Sequence, residues 1–240
     1  MTSDPSPVHP QIPFSFDNTT ASTFDLFWAG DNGVAIEAVE ALAAGEGQDA
    51  QIFLSGSAGC GKTHLLMAAC QRASATGFRI AYLSAADIQV AASLEGLEQV
   101  DLVCLDNMDQ LPRQPESEEA LFHFINRARE HHARLLIASR VSPVQLRIQL
   151  PDLATRLAWG ASFKLAPVPE EALGELLVWR AGHLGLTLGS DEVNYLLNRF
   201  PRDPVSLLNA LGTLDQASMQ LQRRITTALI REVLVRSESH

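Results

Sequence analysis

The sequence predicts an α/β fold: a five-stranded parallel sheet with helices on both faces, followed by a small all-helical domain. Three observations predict it. Short apolar runs "QIFLS" (51–55), "RIAYLS" (79–84), "LVCLD" (102–106), "RLLIAS" (134–139) and "ASFKL" (161–165) alternate with stretches of helical periodicity. Such strands, separated by helices, are the pattern of a parallel sheet buried on both sides. From "APVPEE" (166–171) to about residue 235 only helical periodicity remains.

In chain order, residues 1–24 are rich in Pro, Ser and Thr and read as a flexible tail with one apolar island, "QIPFSF". The sheet domain takes residues 25–166. Helices are expected over Asp31–Ala44, Lys62–Ser74, Glu116–His131 and Pro143–Trp159. Residues 167–240 form the helical domain, which "LGLTLGSDE" and "FPRDP" break into about four helices. With 240 residues, 46% hydrophobic and 19% charged, the chain can bury a core and is not of disordered composition.

The net charge of −10 repels phosphate backbones, so strong direct nucleic-acid binding is not expected. Cys60, Cys70 and Cys104 are few and lack metal-ligand spacing, which suits a reducing cytosol. The start "MTSDPSPVHP" has no basic region or apolar run, and no stretch approaches the roughly 18 apolar residues of a membrane span. A cytoplasmic protein without membrane contact is expected.

"GSAGCGKT" fits the phosphate-binding loop G-x-x-x-x-G-K-[ST], with a strand before it and a helix after it. Its nucleotide contacts are expected along Gly56, Ser57, Ala58, Gly59, Cys60, Gly61, Lys62, Thr63 and His64. The glycines let backbone N–H groups turn inward around the phosphates, and the helix N-terminus adds its positive end. Lys62 reaches the β- and γ-phosphates, and Thr63 offers its hydroxyl to Mg²⁺. Cys60 is either a small space-filling residue or a reactive thiol.

Asp106 ends the third strand and is expected to partner Mg²⁺ from the outer coordination sphere, the alternative being a cap for the following turn. The next residue is Asn107, which orients water but takes no proton. Asp109 substitutes only if the turn aims it at the phosphates. The site should therefore bind ATP or ADP better than it hydrolyses ATP.

The loop, "LVCLDN", "LPDLATRLAWG" and the helical C-terminal portion together resemble the AAA+ ATPases of the bacterial initiator DnaA group, over about residues 11–236. Within it the chain is most similar to regulatory members that lack the DNA-binding domain. No helix-turn-helix segment follows the helical portion, and the gap between the second and third strands is short. Both are read against an origin-binding initiator. "FWAGDNGVAIEAV" (27–39) resembles the group's segment beside the adenine pocket, which implies a nucleotide contact at Asn32; an ordinary loop and helix cap is the alternative.

The resemblance places Arg156 of "LPDLATRLAWG" at the arginine finger, which reaches the γ-phosphate on a neighbouring subunit; otherwise it is a solvated helix-end arginine. "QIPFSF" resembles the peptide by which bacterial proteins bind the DNA polymerase sliding clamp. Gln11 would enter a polar pocket, Phe14 and Phe16 an apolar groove, with Ile12, Pro13 and Ser15 completing the segment. The alternative is a strap packed on this protein's own domain.

Three positions depart from the group: Asn107, Arg140 where relatives carry an acid beside the γ-phosphate, and the lid. Ser139 is the candidate to position water in place of that acid. Where a lid arginine reports on the phosphates, the best match is Val205. Arg202, three residues earlier, is the candidate replacement, although Pro204 intervenes. The expected function is a regulator that binds nucleotide, holds the sliding clamp and promotes hydrolysis of DnaA-bound ATP. The alternatives are an autonomous motor or helicase loader, and a clamp-tethered adaptor with a purely structural nucleotide. A homodimer is left open.

Overall fold

The computed structural model describes residues 22–88, 94 and 96–236. The tail motif Gln11–Phe16 lies outside the described residues. Strands β1 (Gln51–Ser55), β2 (Ile80–Ser84), β3 (Leu102–Asp106), β4 (Arg134–Ser139) and β5 (Ala161–Lys164) form one parallel sheet in the order β2-β3-β4-β1-β5.

The pleat divides the core. Ile52, Leu54, Leu102, Cys104, Leu136 and Ala138 pack on helices α1 (Gly33–Ala44) and α2 (Lys62–Ala75). Phe53, Val103, Leu105, Leu135 and Ile137 point the other way, toward α3 (Pro115–Glu130) and α4 (Pro151–Leu157). Both faces are covered, as the apolar runs imply.

One element differs from expectation. The stretch Pro143–Trp159 is not one helix but a 3₁₀ turn, Pro143–Gln145, and the short α4. Pro151 disfavours helix at the residue before it, and Leu150 adopts φ −80°, ψ 106°. The buried Glu118 carboxylate on α3 then accepts the N–H groups of Gln149 (2.9 Å) and Leu150 (2.7 Å), holding the connection open.

At the sheet's N-terminal edge the buried Gln51 amide donates to the carbonyls of Arg156 (2.9 Å), Leu157 (3.3 Å) and Trp159 (2.8 Å). It thereby ties the end of α4 and the turn after it to the start of β1, the Arg156 carbonyl also accepting the Trp159 N–H at 3.2 Å. Gly160 passes so close that a Cβ there would overlap the Gln51 carbonyl oxygen, and its φ is +75°.

Helices α5 (Leu173–His183), α6 (Ser190–Arg199), α7 (Pro204–Leu221) and α8 (Thr227–Arg236) make the lid, whose leucine-rich core includes Leu176, Leu177, Leu207 and Leu211. Trp28, before α1, packs on that core and meets Trp179 edge-on at 5.5 Å. Among the described residues no helix is long and apolar enough to cross a membrane.

Gly160→Ala combines an unfavourable φ with a backbone overlap, so it should lower stability by about 2–4 kcal/mol in denaturant unfolding. A loss under about 1 kcal/mol would contradict this packing.

Candidate nucleotide site

The parallel pairing gathers the C-terminal ends of the strands at one edge. Ser55 lies opposite both Ser139 and Lys164, and Ser84 opposite Asp106. The glycine-rich loop leaves β1 there, the usual place for a ligand in an open α/β sheet. Lys62 turns into the loop and donates to the carbonyls of Gly56 and Ser57, each at 2.7 Å. Cys60 is buried, its Sγ 3.6 Å from Lys62 Nζ, so it fills space within the loop.

Asp106 is held by three donors. Thr63 Oγ1 (2.7 Å) and the Tyr82 hydroxyl (2.8 Å) share its Oδ2, and the Asn107 N–H takes Oδ1 at 2.7 Å. Burial, reinforced by the Asp106 charge, pushes the Tyr82 phenol far above its ordinary range, so it remains a neutral donor. Thr63 and Asp106 present adjacent hard oxygens of the kind Mg²⁺ takes beside a triphosphate.

Gly61 has φ +94°, and a Cβ there would overlap the Phe27 ring. Phe27 thus closes against the loop and meets His64 edge-on at 5.5 Å. His64 Nε2 is 2.8 Å from the Thr23 carbonyl, so that nitrogen carries the proton. Burial lowers the His64 pKa, the Thr23 bond opposes this, and the charge of Arg180 lowers it further. The glycine cradle, the inward lysine and the Thr63–Asp106 pair fit a nucleoside polyphosphate with Mg²⁺.

Among the described residues no free general base accompanies them. Asn107 adopts a left-handed conformation (φ 54°, ψ 44°) at the strand end. Asp109 Oδ1 accepts the Ser139 hydroxyl (3.3 Å) and the Arg140 N–H (2.9 Å), while Arg140 Nε lies 3.5 Å from Oδ2. Ser139 also accepts the Val141 N–H at 3.3 Å. Ser139 is therefore engaged in tying Asp109 to the end of β4, which takes it away from the water-positioning role expected of it.

Two further candidates are engaged elsewhere. The Asn32 amide makes a two-way bond with Ala166, accepting its N–H (2.8 Å) and donating to its carbonyl (3.1 Å). It thus pins the start of α1 to the domain junction. Arg202 precedes α7, and its Nη1 pairs with Glu170 at 2.6 Å. Val205 faces the loop instead, its Cγ2 3.5 Å from a Cβ built on Gly59.

Arg156 lies at the opposite edge of the sheet, beside Gln51. Its guanidinium stacks on Trp159 at 3.7 Å from the ring centroid, and Arg129 of α3 stacks on the same ring at 3.8 Å. Two guanidiniums this close to one centroid must take opposite faces. Among the described residues neither has a carboxylate within ion-pair distance. Desolvation, then the Arg156 charge, lowers the Arg129 pKa. Tyr82, Trp159, Arg129 and Gln51 were not singled out by sequence reasoning. Only Tyr82 carries a local signal, a hydroxyl at the register position next to β3.

Residues 18–164 match the family model described as the bacterial DnaA ATPase domain, and residues 170–234 the one described as the lid domain of Hda. Domain III of the Thermotoga maritima replication initiation protein DnaA superposes with a TM-score of 0.72 at 20% identity, covering 89% of this chain and 95% of that one. A replication initiator DnaA bound to AMPPCP and single-stranded DNA gives 0.68 at 23%, covering 86% and 70%. The Thermotoga maritima RuvB Holliday junction branch migration motor gives 0.63 at 16%, covering 90% and 72%. At these identities the structures establish the AAA+ fold.

Asp106→Asn should preserve Mg²⁺-free nucleotide binding and remove the gain in affinity on adding Mg²⁺, read by titration in EDTA and in Mg²⁺; an unchanged gain would exclude the metal role. For His64, the folded pKa lies below the ordinary 6.5. The unfolded chain therefore takes up its proton first as pH falls, and stability drops from 6.5 downward. His64→Gln should flatten the fall in denaturation midpoint between about pH 7 and pH 5; the same slope in both proteins would refute this.

Proposed function

The chain belongs to the bacterial DnaA-related AAA+ ATPases and carries an Hda-type lid, and we propose that it binds ADP at its own loop and uses Arg156 to promote hydrolysis of ATP held by DnaA. Its two domain types together make it a replication-initiation-related regulator.

The position of Arg156 supports this role most directly. Gln51 and Ser55 are four strand rises apart, roughly 13 Å, with Arg156 tied to one end and the phosphate loop leaving the other. An arginine there is badly placed for its own nucleotide and well placed for one on a neighbouring subunit. Stacked on Trp159, with no carboxylate among the described residues at ion-pair distance, it is a planar, permanently charged fork available to an incoming phosphate. Charge of this kind stabilises the oxygens of a transferring phosphoryl group and is worth roughly 10³–10⁵ in rate in related systems.

At this chain's own site, Lys62, Thr63 and Asp106 bind and orient. The bound nucleotide supplies the phosphates and metal charge that order the loop. Asn107 offers no base, and Asp109 is engaged with Ser139 and Arg140. ADP therefore remains in place, and hydrolysis belongs to the partner's pocket. The tail segment Gln11–Phe16 tethers the protein to the sliding clamp, raising its effective concentration near DnaA on DNA.

Arg156→Ala should slow single-turnover hydrolysis of DnaA-bound ATP, with clamp loaded on DNA, by about 10²-fold or more. Its own ADP affinity should be unchanged. Hydrolysis at the wild-type rate would instead make the chain a clamp-tethered adaptor. Deleting residues 11–16 should abolish co-elution with the clamp; retained co-elution would exclude the tether.

A further inference from the structure

Helix α5 of the lid buries the stripe Leu173, Leu176, Leu177, Arg180 and Ala181. Arg180 is the one charged member. The residue is only 6% exposed, and its buried Nη1 has no hydrogen-bond partner among the described residues. Burying a guanidinium that cannot lose its proton is costly unless an acceptor faces it.

Its position says what that acceptor is. The preceding residue, Trp179, meets Trp28 of the N-terminal segment, so this part of α5 lies on the seam between lid and sheet domain. Across the seam Arg180 acts electrostatically on His64, which follows Thr63 on α2. His64 turns away from the Lys62–Thr63 end of the loop toward Thr23 and Phe27. Lys62 and Thr63 serve the terminal phosphates and metal. Of the other two lid candidates, Arg202 is paired with Glu170 and Val205 is apolar.

We infer that the seam faces the ribose end of the phosphate chain and that Arg180 is the lid's phosphate contact: its Nη1 donates to the ribose-proximal phosphate of the bound nucleotide. The lid then closes on ADP and ATP alike and does not sense the γ-phosphate. This inference rests on the nucleotide reading of the loop and is independent of any role for Arg156.

The test is binding to the intact protein by competition with a fluorescent ADP analogue, using ADP, ATP and adenosine. Arg180→Gln should weaken ADP and ATP by the same factor, about tenfold or more, and leave adenosine unchanged. Arg180→Lys, which keeps the charge and guards against a folding defect, should recover part of that loss. Equal weakening of adenosine and ADP would mean a purely structural arginine, and selective weakening of ATP would mean a γ-phosphate sensor. Either overturns the inference, as does a Gln variant that binds ADP normally. Absence of ADP binding by the wild type would instead bring down the nucleotide reading itself.

Discussion

Strand β1 is the constraint from which both functional edges hang. It is hydrogen-bonded on both sides, by β4 and β5, and every residue in it is buried. Its C-terminal end launches the phosphate loop. Its N-terminal residue, Gln51, holds the end of α4 through three carbonyls. A rigid strand between them keeps the nucleotide and Arg156 apart at a separation that side-chain motion does not close. The proposed division of labour, binding at home and acting on a neighbour, rests on that geometry.

The chemistry at each edge is consistent with this division. At the loop, Asp106 receives three donors and is kept as a fixed carboxylate beside Thr63. The acids and hydroxyls beyond it are paired with one another rather than aimed at the site. At the other edge, two guanidiniums share one indole with no counter-charge among the described residues, a cost that an incoming anion would relieve. One edge is saturated and quiet, and the other is left wanting an acceptor. The buried Arg180 Nη1 adds a third unspent donor, at the lid seam.

Much of this was legible in the sequence because its signals are local. The strands fall within a residue of the apolar runs, and the loop lies between its strand and helix. The break before α4 was not legible. Pro151 hints at it, but the carboxylate that holds the connection open belongs to Glu118, thirty-one residues earlier. Arg202 is lost to Glu170 across the lid, thirty-two residues away in sequence. Trp159 looks like an ordinary helix-end aromatic until Arg129 arrives on its far face. Arg180 is hidden for the opposite reason: it occupies a core position of an amphipathic stripe, where periodicity registers only one missing apolar residue. Long-range pairing decides these roles, and a pattern read along the chain does not contain it.

The central claim is that ATP is cleaved in the partner's pocket and not in this protein's own. It is tested most directly by placing ATP labelled at the γ-phosphate in one protein at a time before mixing them with clamp on DNA. Label carried by DnaA should be released rapidly. Label carried by this chain should stay bound over the same interval. Release from this chain's own site at a comparable rate, lost in Lys62→Ala, would contradict the account.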